Sequence, residues 1–283
     1  MASVVILKNI THRFGNVLAL NDLTLSVREG EMFGFLGRNG AGKTTTLKML
    51  MGLLQPDAGT ITVLGQSVKR MPVALKQRIG YVCQEPNFYP WMTASQLGNF
   101  VGSFYPKWDR QAFYRLLKLL NVPLDRRASE MSGGTRTKLG LALALAPRPE
   151  LLLLDEPTAG LDPVARLEFN DQLKALQRQQ GTTVMFSSHL VGEVEQMAQR
   201  VGIVQAGRCL FQGDMGLLRA SVRRISGRVG CNPGPGFHLV RGDIWRAEPQ
   251  LWDTMPWPEA VSFERLSLED IFLAFARTDG VAA

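Results

Sequence analysis

Between positions 37 and 45 the chain reads Gly37-Arg38-Asn39-Gly40-Ala41-Gly42-Lys43-Thr44-Thr45, which satisfies G-x-x-x-x-G-K-[ST] in full. Glycines at this spacing let successive backbone N–H groups converge on phosphate oxygens without Cβ clashes. A helix opening at the same point aims its positive end there too. Lys43 then supplies a point charge for β- and γ-phosphates, and Thr44 a hydroxyl for Mg²⁺. Further along, Asp155-Glu156 closes a run of four leucines, and His189 follows Thr183-Val184-Met185-Phe186-Ser187-Ser188. Asp155 alone would serve as well to cap a loop. Two carboxylates at the end of a buried strand, however, have no use unless a cation or a proton joins them.

These groups need a frame that gathers distant parts of the chain. Met32-Phe33-Gly34-Phe35-Leu36 is a continuous apolar run, and Leu47, Leu50, Met51 and Leu54 recur at i, i+3, i+4 and i+7. That is a buried strand feeding a helix through the glycine turn, the context a phosphate loop requires. The runs ending at Asp155 and Ser188 read as buried strands as well, so the three strand ends should share one crevice at the carboxyl edge of a mostly parallel sheet. Between them Asp162-Pro163 predicts a capped helix with Leu167, Leu173 and Leu176 inside, stopped by Gly181. Upstream, Ser132 is a good N-cap, and the Leu- and Ala-rich stretch 137–146 ends at Pro147. The Gly133 and Gly134 amides therefore open a second helix, and with it a second anion site; an ordinary capped helix is the plainer reading.

The 283 residues carry 45% apolar and 20% charged side chains with a net charge of +7, which excludes a disordered tail, a collagen repeat and a coiled coil. The apolar stretch around 139–154 is interrupted by Pro147-Arg148-Pro149-Glu150, so no window reaches the roughly 18 residues of a membrane span. The start runs from Met1 into Val4-Val5-Ile6-Leu7 without a cationic stretch, which predicts a cytosolic chain. Cys83, Cys209 and Cys231 have neither disulfide nor metal spacing.

Taken in order, Phe14, residues 37–45, Gln84 in Tyr-Val-Cys-Gln-Glu, Met131-Ser132-Gly133-Gly134-Thr135, Leu151 through Pro157, Ala159-Gly160-Leu161-Asp162 and His189 resemble the ATP-binding subunits of ABC transporters. The resemblance covers about residues 4–215. It implies an α/β P-loop NTPase core of ABC type, a mostly parallel sheet plus an N-terminal antiparallel β-subdomain, spanning residues 1–215 with a helical subdomain at about 86–148. A small C-terminal accessory region would fill 216–283.

The resemblance further implies that Lys43 and the backbone of Gly40, Ala41, Gly42, Thr44 and Thr45 hold the phosphates of ATP, and that Thr44 and Gln84 help hold Mg²⁺, with Asp155 reaching it through water. Glu156 would polarise the attacking water, and His189 would contact the γ-phosphate. Phe14 would stack on adenine, although an aromatic there also suits a core; Gln84 also suits a plain polar loop. Ser132, Gly133 and Gly134 would meet the nucleotide of a neighbour in a head-to-tail dimer, of identical or paralogous chains, with Asp162 near the seam. Met131 and Thr135 depart from the family's usual Leu-Ser-Gly-Gly-Gln; Thr135 is shorter than Gln and reaches less far.

Residues 87–93 and 104–108 are aromatic-rich; most suit a helical core, yet an exposed cluster beside Gln84 would form a socket for a partner. By resemblance that partner is a separate transmembrane permease, which would hold the chain at the inner face of the membrane. After Asp214, Arg219, Arg223, Arg224 and Arg228 read as a solvated face, and Asn232-Pro233-Gly234-Pro235-Gly236 as a turn-rich boundary. Residues 266–277 form an amphipathic helix that Ser267 caps, and this closing segment is similar to the end of ATPases serving ABC-2-type exporters. The expected function is ATP hydrolysis powering export. The alternatives are an importer's ATPase and, from the basic pI, a nucleic-acid- or ribosome-acting ATPase; the spacing from Thr45 to Ser132 leaves no room for a long coiled coil, which argues against nucleic acid.

Overall fold

The computed structural model describes residues 2–226, 234–255, 257 and 261–276. The chain opens with an antiparallel hairpin, β1 (Ser3–Phe14) and β2 (Val17–Arg28), then crosses the molecule as β3 (Met32–Leu36). After helix α1 (Lys43–Leu50) it returns to the hairpin with β4 (Ala58–Val63) and β5 (Gln66–Ser67), giving an antiparallel sheet of order β2-β1-β4-β5. A short helix α2 (Val73–Lys76) leads to β6 (Ile79–Val82), and the helices α3 (Ala94–Gly102), α4 (Arg110–Leu119) and α5 (Gly133–Leu145) follow. Then come β7 (Leu151–Asp155), α6 (Pro163–Gln180), β8 (Thr183–Ser188), α7 (Val191–Met197), β9 (Arg200–Gln205), β10 (Arg208–Asp214) and α8 (Met215–Ser221).

The central sheet has the order β10-β9-β3-β8-β7-β6; β10 alone runs antiparallel, at one edge. Continuous apolar runs suit this position because both faces of a parallel sheet are covered. Side chains alternate between two cores. Leu36, Leu152, Leu154 and Phe186 pack on one face, and Phe33, Phe35, Leu151, Leu153 and Met185 on the other. Each such side chain contributes about 1.5–3 kcal/mol when fully removed from water. Because β3, β8, β7 and β6 are neighbours and parallel, their carboxyl ends lie side by side, and the loops leaving them emerge at one edge.

Local chemistry sets the helix boundaries. Thr93 and Gln96 form a reciprocal capping box at α3, Asp109 caps α4, and Asp162 caps α6 through the amides of Val164 and Ala165. Leu173 and Leu176 are buried as expected, but Leu167 is not: it is 51% exposed. The buried stripe of α6 runs through Phe169, Leu173 and Leu176. At about 100° per residue, Leu167 falls on the opposite side of the helix.

The last part of the chain builds a third sheet from β11 (Val222–Ser226), β12 (His238–Arg241), β13 (Ile244–Arg246) and, after helix α9 (Pro249–Thr254), β14 (Ser262–Arg265), in the order β12-β13-β11-β14. Phe237, Ala247 and Trp252 form its own small core. Helix α10 (Leu268–Ala276) follows, and Ser267 caps it by accepting the Asp270 amide at 3.1 Å. The arginines here are not simply solvated. Arg224 pairs with Glu264 at 2.6 Å, and the Arg223 guanidinium sits 5.3 Å from the centre of the Trp252 ring, because β11 is the middle strand between β13 and β14. Arg228, Cys231, Asn232, Pro233 and Arg277 lie outside the described residues.

Candidate functional site

The glycine turn leaving β3 is held from both sides. Gly37 donates its amide to the Ser188 carbonyl at the end of β8, and a Cβ at Gly37 would sit 2.6 Å from the Val204 carbonyl. Gly42 has φ +102°, and a Cβ there would meet Leu20 at 2.6 Å, so only glycine fits the close approach of β2. Helix α1 begins at Gly42 with no capping side chain, which leaves its first amides uncapped where the turn curls. Arg38, Asn39, Gly40, Ala41 and His189 line a cavity of about 500 Å³, shared with Gln205 and Ala276. Gln205 Nε2 also donates to the Ala276 carbonyl at 3.1 Å, so the end of α10 is tied to the wall of this cavity.

Glu156 is the hub. Its carboxylate lies 3.1 Å from Lys43 Nζ and 3.0 Å from His189 Nδ1, and it accepts from Gln84 Nε2 at 3.5 Å. Four loops leaving four adjacent strands thus meet at one side chain, as the parallel order requires. The Glu156 backbone is left-handed, with φ +44°, an uncommon conformation for a non-glycine residue and one that clusters at working sites. Lys43 Nζ also donates to the carbonyls of Gly37 at 2.7 Å and Arg38 at 3.2 Å.

Asp155 is buried beside this hub. Its Oδ1 accepts from Ser187 Oγ at 2.7 Å, and the same hydroxyl accepts the Glu156 amide at 2.9 Å. Its Oδ2 is buried with no hydrogen-bond partner. An anionic oxygen stranded in that way fits a cation or a cation-bound water. Burial, and after it the Asp155 charge, push the neighbouring Tyr81 phenol well above its ordinary range, so Tyr81 stays protonated.

The other expected residues stand apart from the hub. Phe14 is half-exposed and packs edge-on against His12, with ring centres 4.6 Å apart. Ser132 accepts the Thr135 amide at 3.2 Å, and its hydroxyl lies 2.9 Å from Thr135 Oγ1, so the Thr135 side chain turns back onto the cap. A Cβ at Gly133 would meet nothing within 4 Å, whereas one at Gly134 would meet Leu161 at 2.5 Å. The Ser132 segment therefore touches the Ala159-to-Asp162 turn; that turn meets the hub through its backbone, the Ala159 amide donating to the Glu156 carbonyl at 3.0 Å, and among the described residues no side chain of either segment bonds Lys43 or the Glu156 carboxylate. Sequence reasoning passed over Thr158, Ser187, Ser188 and Glu193, which are buried beside the hub. Only the position of Glu193, one helical turn after His189, could have signalled it.

Fold and site define a P-loop nucleotide-binding protein with a second, exposed glycine-opened helix. A family model described as "ABC transporter" matches residues 20–159. The chain is 38% identical over 247 residues to the Nod factor export ATP-binding protein I of Burkholderia lata, covering 84% of this chain and 79% of that protein. It is 34% identical over 212 residues to the bacitracin transport ATP-binding protein BcrA of Bacillus licheniformis, covering 74% of this chain and 69% of that one. A solved ATP binding subunit of an ABC transporter superposes with a TM-score of 0.68 at 26% identity, over 76% of this chain and 92% of its own. The chain belongs to the ATP-binding subunits of ABC transporters.

Proposed function

We propose that this chain hydrolyses Mg-ATP and passes the work to a separate membrane-spanning export subunit. The observation that carries the chemistry is the meeting of Lys43, His189 and Gln84 at the Glu156 carboxylate, beside the unpartnered Asp155 Oδ2. The name of the Burkholderia relative supports the export assignment, and that of the Bacillus relative supports transport.

Lys43 exchanges its bonds to Glu156 and the Gly37 carbonyl for phosphate oxygens as ATP enters, and the amides of residues 40–45 bind the same phosphates. Freed of the lysine, Glu156 orients the attacking water, while His189 steers the carboxylate through Nδ1. Thr44 and Gln84, with Asp155 reaching through water, are the residues that would hold Mg²⁺, which would supply charge neutralisation for the phosphates. Phe14, exposed near the mouth of the hairpin, offers a ring for adenine.

Pairing of two ATP-binding chains, identical or paralogous, is supported by the exposed Ser132-Gly133-Gly134 helix end, whose first amides would receive a nucleotide held by a second chain arriving head to tail. Asp162, the residue after the Leu161 that a Cβ at Gly134 would meet, would then lie near the seam. Residues 1–215 would form the ATPase and 216–283 an accessory region, with residues of about 86–148 as the helical face toward the membrane subunit. No helix among the described residues is long and apolar enough to cross a membrane, so the membrane-spanning part of this reading is a partner.

The reading is tested by measuring ATP hydrolysis of the full chain with Mg²⁺ and with chelator, alone and with the membrane protein that co-purifies. Metal-dependent turnover and an integral membrane partner are expected. Absence of turnover in both states, or co-purification with nucleic acid in place of a membrane protein, would overturn it.

A further inference from the structure

A second buried polar group lies behind the hub. Glu193, on α7, is almost wholly buried. Its Oε1 accepts the Thr158 hydroxyl and lies 3.5 Å from Arg166 Nε; its Oε2 accepts Ser188 Oγ at 2.5 Å. Thr158 follows Glu156 by two residues, Ser188 immediately precedes His189, and Arg166 sits in the first turn of the helix that Asp162 caps. One carboxylate thus joins the segment leaving Glu156, the strand end presenting His189 and the turn ending at Asp162.

The chemistry of the group argues that more than packing is involved. For stability alone a buried ion is a poor choice, since apolar side chains of similar volume serve as well or better. Burial pushes the Glu193 carboxyl above its ordinary range, while the Ser188 hydroxyl and the Arg166 guanidinium pull it back. Two hydroxyls donating to its two oxygens match the ionised form, because a protonated carboxyl would set its own O–H against one of them. The Ser188 hydroxyl is itself oriented, accepting the Leu190 amide at 2.9 Å. Thr158 accepts the Leu161 amide at its carbonyl at 3.1 Å, so the threonine is anchored at both ends.

We infer that Glu193 is a positioning residue for ATP hydrolysis: by holding Thr158 and Ser188 on its two oxygens it locks the backbone after Glu156 to the backbone before His189, and so sets the carboxylate against the imidazole. This rests on the roles given above to Glu156 and His189. The lock touches no substrate. Its loss should spare ATP binding and slow the chemical step.

Steady-state kinetics and thermal unfolding of the full-length chain test it, using Glu193→Gln, Thr158→Val, Thr158→Ser and the double variant Glu193→Gln/Thr158→Val. The glutamine keeps the volume but leaves one carbonyl oxygen for two hydroxyls. We expect kcat to fall at least about fivefold in Glu193→Gln and in Thr158→Val, with KM for ATP within about twofold. Thr158→Ser should retain the parental kcat, and the double variant should be no slower than the slower single one. Parental kcat in both single variants, whatever happens to Tm, would overturn the inference, as would losses that multiply in the double variant. A parental chain with no turnover at all would instead overturn the reading of the hub, and this inference with it.

Discussion

Lys43 Nζ and Glu156 Oε1 stand 3.1 Å apart, with side chains only 5% and 9% exposed, so the cation proposed for phosphate and the carboxylate proposed for water form a buried ion pair. Lys43→Ala removes the phosphate charge and leaves the carboxylate to His189 and Gln84. Hydrolysis should drop by at least about 100-fold, since electrostatic groups of this kind are worth that much in kcat. Stability should also fall, by less than the roughly 3–5 kcal/mol of a wholly unpaired buried charge, because two partners remain. A phosphate-release assay and a thermal melt of the same sample check both.

Glu156→Gln is isosteric and retains contacts to His189 and Gln84 while losing the charge. Turnover should fall about 10²–10³-fold with ATP affinity preserved, and an ATP-bound dimer should accumulate. Light scattering with ATP and Mg²⁺ reads this directly: a monomer that still turns over normally contradicts the role of Glu156.

Thr135→Gln tests the second glycine-opened helix. The threonine hydroxyl is engaged with Ser132 at 2.9 Å and extends no further, so a longer amide adds reach across the seam. ATP-dependent dimerisation, followed by sedimentation, should tighten by at least about tenfold, the size of one good hydrogen bond to a charged group. Unchanged association and turnover would mean that the shorter side chain costs nothing.

Tyr89 and Trp91 are 47% and 63% exposed and contact one another with ring centres 5.2 Å apart; Phe100 continues the cluster 5.6 Å from Tyr89. An exposed apolar patch of this kind suits the proposed contact with the membrane subunit. Tyr89→Ala or Trp91→Ala should weaken co-purification of the membrane subunit while ATP binding and Tm stay within experimental scatter, because exposed substitutions shift stability by less than about 0.5 kcal/mol. Parallel loss of fold and partner would reassign the rings to the core.

Much of this was legible in the sequence because the relevant signals are local. The buried strands are unbroken apolar runs, and the glycine turn, Asp155-Glu156 and His189 each sit at a strand end, which the parallel order then lines up. Other features depend on which strands and helices become neighbours. Leu167, read as buried, lies six residues before Leu173 and so off its helical period; it faces outward while Phe169 completes the buried stripe. Arg223 looked solvated until β11 became a middle strand. The Thr158–Ser188–Glu193 group draws on three segments, and no pattern within any one of them announces it.

The bond from Gln205 to the last carbonyl of α10 has a mechanical implication. A rod nine residues long connects the third sheet to the rim of the cavity that Asn39, Gly40 and His189 line. A pull on that sheet would reach the rim through this bond, worth about 0.5–1.5 kcal/mol, together with the packing of α10 in the main core.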